Sequence, residues 1–397
     1  MMNLSELEPQ DLTPRKTGEK EIARALSAAR ARRLRKIELE ITSECIVGRR
    51  SSGEGCLHCS LKAGTGVANY LTTEVIKSVL VDARDLGASV VVLTGGEPAQ
   101  HPGFVDALKH AKRAGLETRV YTTGISDAWK TCRLADVANL IDEVYLSFEG
   151  LGETHDRVLG WPGAFEHTMS FVRDLHDLGI RWSAHFTPMR LNYGELESVA
   201  RTVRELGADS LKLIDFIPQG RGWANRSVLE LDTSQYFELF SVVRRLRAEL
   251  PGSDGSPFLR FHDETYSLGP SAAAPLGHVV RGGCTSGRES CAVLSDGTVI
   301  PCLGFRLKES GDQPGAKHIA GNIKAQSFRE IWLQSEVLLQ FASSKAQDVN
   351  ISCLGCSMLR ECLGCCSCRR SELEHMFNQG LRQRGRSVKR DQALDLY

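Results

Sequence analysis

Between residues 37 and 217, short apolar runs alternate with amphipathic stretches, and this alternation limits most strongly what the chain can fold into. Runs of strand length occur at IELEIT (37–42), SVVVLT (89–94), ETRVYT (117–122), DEVYLSF (142–148), RWSAHFT (181–187) and DSLKLIDFI (209–217). Segments of helical period separate them: TTEVIKSVLVDARDLG, GFVDALKHAKRAG, DAWKTCRLADVANL, GAFEHTMSFVRDLHDLG and GELESVARTVRELG. Several end in Gly, where a helix C-cap favours a left-handed residue. Strict βα order over six strands implies a parallel sheet with right-handed crossovers. Six units fall short of a closed eight-stranded barrel. The expected fold is therefore α/β, an open partial (β/α)6 barrel with its chemistry at the C-terminal ends of the strands.

At 397 residues the chain has room for one large domain and a smaller one. A helical extension is expected over 1–36 and the barrel over 37–250. A connection over 251–280 is marked by PGSDGSP and LGPSAAAPLG, a small cysteine-organised domain follows over 281–375, and a polar tail covers 376–397. Lys+Arg and Asp+Glu both number 49, so no global positive field exists to hold a nucleic-acid backbone. The basic, Ala-rich stretch EIARALSAARARRLRK reads as a solvated helix. The polar start and the lack of a long apolar run predict a cytoplasmic protein without a membrane partner.

Thirteen cysteines without a signal peptide point to metal rather than disulfides. Three lie between 45 and 59, Cys132 is alone, and nine lie between 284 and 368. Cys132 falls in a helical pattern, where a buried apolar thiol is the default. Cys45, Cys56 and Cys59 directly follow the first strand run, spaced C-x10-C-x2-C. Three thiolates leave one iron of a four-iron cluster open to a ligand, whereas a structural zinc would want a fourth donor, for which His58 would be strained. The insert between Cys45 and Cys56 sets Arg49 and Arg50 near the cluster, as solvated residues or as substrate contacts. The second strand run leads straight into Gly95-Gly96-Glu97-Pro98, where glycines permit close backbone approach and a carboxylate can accept from an ammonium.

Together these features resemble the radical S-adenosylmethionine (SAM) superfamily. The resemblance implies that Cys45, Cys56 and Cys59 ligate a [4Fe–4S] cluster whose open iron chelates the amino and carboxylate groups of SAM. Gly95, Gly96, Glu97 and Pro98 would hold SAM, with reductive cleavage giving a 5′-deoxyadenosyl radical. The other strand ends are similar to those of the family: Thr122-Thr123-Gly124, Ser147-Phe148-Glu149-Gly150, the stretch THDRVLGWPGAFEHTM, and Pro218-Gln219-Gly220-Arg221-Gly222. Thr123, Ser147 and Arg221 are accordingly assigned to the SAM pocket. An electron donor such as flavodoxin or ferredoxin is implied. The ten-residue insert departs from the common C-x3-C-x2-C spacing.

Cys284-x12-Gly297-x4-Cys302, followed by Cys353-x2-Cys356-x5-Cys362-x3-Cys366, resembles the SPASM extension, and SDGTVIPC and GNIKAQSFREIW agree with it. The resemblance implies two auxiliary [4Fe–4S] clusters, the first held by Cys284, Cys291, Cys302 and Cys366 and the second by Cys353, Cys356 and Cys362. Cys368 is favoured to close the second, with Cys365 or an open iron as alternatives. The implied activity is radical modification of a peptide or protein by cross-linking, epimerisation or oxidation, with or without a separate peptide-recognition protein. A small-molecule oxidoreductase or epimerase acting on an aminoglycoside, sugar or nucleoside is the rival, and a zinc-stabilised binding protein is the non-enzymatic alternative.

Overall fold

The computed structural model describes residues 32–49, 55–129, 132–252, 257–261, 285–306 and 318–343. The expected N-terminal helix and the C-terminal tail lie outside them. Strands β1 (Lys36–Thr42), β2 (Val90–Gly95), β3 (Glu117–Thr122), β4 (Glu143–Ser147), β5 (Trp182–Phe186) and β6 (Leu211–Leu213) occupy the six apolar runs. They pair in parallel and in sequence order. Helices α1 (Thr73–Asp85), α2 (Phe104–Arg113), α3 (Glu153–Leu159), α4 (Ala164–Asp177), α5 (Leu196–Glu205) and α6 (Thr233–Glu249) fill the connections. In the 127–140 stretch the described residues form a turn at Ser126–Trp129, a four-residue helix Leu134–Val137 and a turn at Ala138–Leu140, shorter pieces than the expected helix. Cys132 sits in the bend before Leu134 and is buried in the core, so its apolar role holds although its helix does not.

Four further strands extend the sheet. β7 (Leu259–Phe261) pairs in parallel with β6, inside the stretch read as a bare connection. Its three residues beside PGSDGSP are too few to show a period. On the other edge, β8 (Ser290–Val293) runs parallel to β1, with Lys36 opposite Ser290 and Leu39 opposite Val293. β9 (Thr298–Ile300) and β10 (Gly321–Asn322) then add antiparallel. Among the described residues the result is one ten-stranded sheet in the order β10-β9-β8-β1-β2-β3-β4-β5-β6-β7. Helices α7 (Phe328–Gln334), opened by a Ser327–Glu330 capping box, and α8 (Glu336–Ser343) follow it.

Strand alternation sorts the sheet into two faces. Ile37, Leu39, Ile41, Val91, Leu93, Val144, Leu146 and Phe186 turn outward and pack with Ile76, Leu80, Phe104, Leu108, Phe171 and Val199 of the helices. Each such side chain contributes about 1.5–3 kcal/mol of burial. The opposite face of the sheet mixes polar side chains with a small apolar cluster of Val90, Val92 and Tyr145. Glu143 accepts from Ser183 Oγ at 2.7 Å and lies 3.3 Å from Arg119 and 3.7 Å from Lys212. The Lys212 ammonium stands 3.6 Å above the Tyr145 ring. Burial draws the Lys212 pKa down to about 7, opposed by the charge of Glu143.

Glu143 is the anion that this buried layer shares. Replacing it with Leu leaves Lys212 without its carboxylate in a nearly dry interior, while Arg119 keeps Glu117 at 2.7 Å. The expected cost is about 3–5 kcal/mol of unfolding free energy, read as a lower urea midpoint.

Candidate active site at the strand ends

Cys45 lies three residues beyond β1 and is buried, while Cys56 and Cys59 are half-buried. Two glycines bring the next strand end against them. Gly96 N donates to Thr42 O at 2.8 Å and Glu97 N to Glu44 O at 2.7 Å. A Cβ on Gly95, whose φ is +149°, would meet Thr42 O at 2.2 Å, and one on Gly96 would meet Glu44 O at 2.0 Å. The space these glycines leave is thus filled by the chain's own cysteine loop. Pro98 opens a turn, Pro98–Gln100, from which Gln100 Oε1 accepts Ile46 N at 2.6 Å. The Gly95–Gln100 segment and the Cys45 loop are joined by these three bonds.

Beneath the loop lies an apolar seat. Cys45, Val47 and Ala63 pack with Val158, Leu159, Trp161, Met189 and Phe216, and Cys56, Leu57 and Cys59 border them. Burial pushes the Cys45 thiol up to about 12, aided by the charges of Glu97 and Cys59. Cys56 is likewise raised by burial, then by Cys45 and Cys59, with Arg221 opposing. The three sulfurs therefore lie close enough to act on one another. Among the described residues no three His, Cys, Asp or Glu converge as on a single ion. A cluster does not require that convergence, because each thiolate binds its own iron. Three cysteines on a low-dielectric seat, where their thiolates are short of counter-charge, suit a polycationic iron core, so the donor set fits a cluster.

Glu97 is fully buried. Its Oε2 accepts from the Thr123 amide and hydroxyl, both at 3.0 Å, and Oε1 is buried with no hydrogen-bond partner. Burial raises its pKa to about 7 against the Thr123 bonds. A carboxylate with one oxygen held and one unpaired fits an incoming ammonium. Thr123 thus acts through Glu97. Ser147 ends β4 half-buried, in register with His185 of β5.

Arg221 reaches across to the cysteine loop. Its guanidinium donates to Cys56 O at 2.9 Å and Ala63 O at 3.0 Å, and its amide donates to Cys59 O at 2.9 Å. With Asn225, which donates to Leu57 O at 3.0 Å, it braces the cysteine loop. Arg49 lies 2.5 Å from Glu44, whose other oxygen accepts the Tyr70 hydroxyl at 3.1 Å. His58 faces Glu149, Nε2 to Oε1 3.4 Å, and burial followed by Arg221 lowers its pKa to about 4.

Glu149 was not singled out from the sequence, although Ser147-Phe148-Glu149-Gly150 placed an acid at a strand end. It is buried and accepts from Thr187 N at 2.8 Å and Thr187 Oγ1 at 3.2 Å, and burial raises its pKa to about 8. In the next segment His155 Nδ1 accepts Glu149 N at 3.1 Å, and Asp156 accepts from Gly163 N and Phe165 N at the start of α4. Both residues of that His-Asp pair hold backbone in place.

Cys284, Cys353, Cys356, Cys362, Cys365, Cys366 and Cys368 lie outside the described residues, as does Arg50. Cys302 is half-buried just past β9. Cys291, assigned to the same cluster from the sequence, stands apart from Cys302. Ala292 faces Ile300 and Val293 faces Val299, so continuing the ladder sets Cys302 beside Ser290 and puts Cys291 on the opposite face. There Cys291 is in register with Ile37 and buried in the main hydrophobic core, and burial pushes its thiol far up.

The radical SAM superfamily profile matches residues 52–203, which contain Cys56, Cys59 and Gly95–Pro98 and begin after Cys45. An iron–sulfur cluster-binding domain, SPASM, matches residues 284–357. The chain belongs to the radical SAM superfamily. It is a radical SAM enzyme with a SPASM domain, and its cofactors are SAM, the radical SAM [4Fe–4S] cluster and auxiliary iron–sulfur clusters. An AdoMet-dependent heme synthase of Methanosarcina barkeri is 26% identical over 340 residues, 83% of this chain and 90% of that one. A PqqA peptide cyclase of Ruegeria pomeroyi is 26% identical over 328 residues, 79% of each. In fold, the chain matches Streptococcus suis SuiB bound to S-adenosylmethionine with a TM-score of 0.60 at 14% identity, covering 88% of this chain and 78% of that one. It matches anSMEcpe with bound AdoMet at 0.60 and 16% identity, covering 88% and 98%. Among the described residues no helix is long and apolar enough to cross a membrane.

Two outcomes follow from this geometry. The raised Glu97 pKa means that the folded apoprotein binds a proton which the unfolded chain releases above about pH 4.5, so this site's stability is lost as pH rises toward 7. Glu97→Gln removes that loss, and the apo variant should gain on the order of 3 kcal/mol over the parent between pH 5 and pH 8 in urea titrations. Cys291→Ala should leave iron and sulfide per chain unchanged. A fall in either restores Cys291 as a ligand.

Proposed function

We propose that this enzyme installs a radical-derived modification, a cross-link, an epimerised centre or an oxidised side chain, in a peptide or protein. The reading is carried by the match, over about four fifths of both chains, to a relative named PqqA peptide cyclase. The fold agrees with that of SuiB, which has been solved bound to its precursor peptide SuiA. Cys45, Cys56 and Cys59 would hold the cluster, and Gly95–Pro98 and Ser147 would line the SAM site. Glu97 Oε1 would accept the methionyl ammonium, Thr123 orients Glu97, and Arg221 keeps the cysteine loop in shape. When bound, SAM and the cluster supply a 5′-deoxyadenosyl radical that takes hydrogen from the substrate. Two auxiliary clusters would lie in the SPASM domain, and a flavodoxin or ferredoxin would deliver the electron. A small-molecule substrate is the second reading, favoured by the heme synthase relatives.

With dithionite and SAM under anaerobic conditions the enzyme should release 5′-deoxyadenosine, and Cys56→Ala or Cys59→Ala should abolish it. Glu97→Ala should weaken SAM binding by about 1.5–3 kcal/mol, seen by calorimetry, while the visible absorbance stays. For the substrate, co-expression with each short reading frame beside its gene and mass spectrometry of the peptides decides. A peptide altered only when Cys56 is intact supports the proposal. Unaltered peptides, with 5′-deoxyadenosine release stimulated instead by a protein-free small-molecule extract, overturn it.

A further inference from the structure

Just past Cys302, the turn Leu303–Phe305 leads into Arg306, which is 5% exposed. A guanidinium is seldom buried without partners, and this one has partners on two other parts of the molecule. Its NH2 pairs with Glu40 Oε2 of β1, and its NH1 donates to Ser60 Oγ at 3.0 Å, one residue past Cys59. Glu40 is 1% exposed, and its Oε1 accepts from Ser295 Oγ at 2.7 Å and Ser295 N at 3.2 Å, in the turn between β8 and β9. A second strap runs alongside, where Gln219 Nε2 donates to Gly304 O at 2.6 Å. Gln219 belongs to the same segment as Arg221, which braces Cys56 and Cys59.

We propose that Arg306 is a positioning residue that ties the Cys302 turn to Ser60 and Glu40, and thereby sets the separation between the cluster of the barrel cysteines and the one that Cys302 would ligate. The inference rests on the proposed function with its auxiliary clusters, and on Cys302 being one of their ligands, as the SPASM resemblance implies. A surface ion pair could not hold such a spacing, because it is screened and mobile. This pair is buried, and each side chain has a further partner, Ser60 for Arg306 and Ser295 for Glu40. Loss of either partner strands a buried charge, so the turn cannot move without penalty.

The test uses reduced holoprotein carrying Arg306→Gln, Arg306→Lys or Glu40→Gln, each with its iron counted. Electron paramagnetic resonance power saturation reads the magnetic coupling between reduced clusters, which weakens as they separate. Hydrogen exchange reads opening of the 302–306 turn. Arg306→Gln should lower the half-saturation power and speed exchange in the turn roughly tenfold, with Arg306→Lys between it and the parent. If Arg306→Gln fails to fold or to take up iron, Glu40→Gln, which keeps the Ser60 bond, should show the same two changes in smaller measure. Parental saturation and exchange in a variant with full iron overturn the proposal. Cys302→Ala separates the two readings: full auxiliary iron in that variant sinks the ligand assignment, while faster turn exchange in Arg306→Gln would still show the tie itself.

Discussion

The active end of this barrel depends on a contact between two pieces of backbone. The Gly95-Gly96 bend lies so close to the chain leaving β1 that no side chain fits between them, and the amides of Gly96 and Glu97 bond the carbonyls of Thr42 and Glu44. These bonds transmit position as well as hold it. A shift of the Cys45 loop would carry Glu97 with it, so the cysteine side of the site and the carboxylate side are set by one constraint. Any larger residue at either glycine would push the two apart by more than a hydrogen bond tolerates.

The seat under the loop explains why so many polar side chains serve backbone rather than ligand. Apolar packing from α3 and from the loops after β5 and β6 supplies low dielectric, which favours a compact charged cofactor but leaves loop carbonyls without water. Arg221 and Asn225 satisfy the carbonyls of Cys56, Ala63 and Leu57. Their role is thus a consequence of the burial that the cluster itself benefits from. Glu149, fixed by Thr187 and facing His58, is the counterpart on the β4 side.

How much of this could be read from the chain depends on how local each feature is. The six strands were legible because each apolar run is bounded by turns, and Cys45, Cys56, Cys59 and Glu97 were legible because they follow strands directly. Strand β7 was not, since three residues carry no period. The pairing of β8 with β1 was not, since its partner lies some 250 positions away. Arg221 could be placed at the site but not given its partners, which lie in a different loop. The placement of Cys291 relative to Cys302 is a more local matter. The Ser295-Asp296-Gly297 turn sets Val293 against Val299, and counting back along both strands puts Cys291 and Cys302 on opposite faces.

The interior of the barrel shows why the chemistry is confined to one end. Near the N-terminal ends of the strands, Glu143, Arg119, Lys212 and Lys36 with Glu38 saturate one another around the Tyr145 ring. A layer of this kind has no unspent charge to attract a ligand, and its burial resists the entry of water. Toward the C-terminal ends the pattern reverses: Glu97 keeps an unpaired oxygen and Ser147 keeps partial exposure. A radical that reacts with any nearby C–H bond needs walls that are already satisfied and a mouth that is not. The alternation of β1 through β6 supplies both, with charge spent on charge at one end and polar groups left for a ligand at the other.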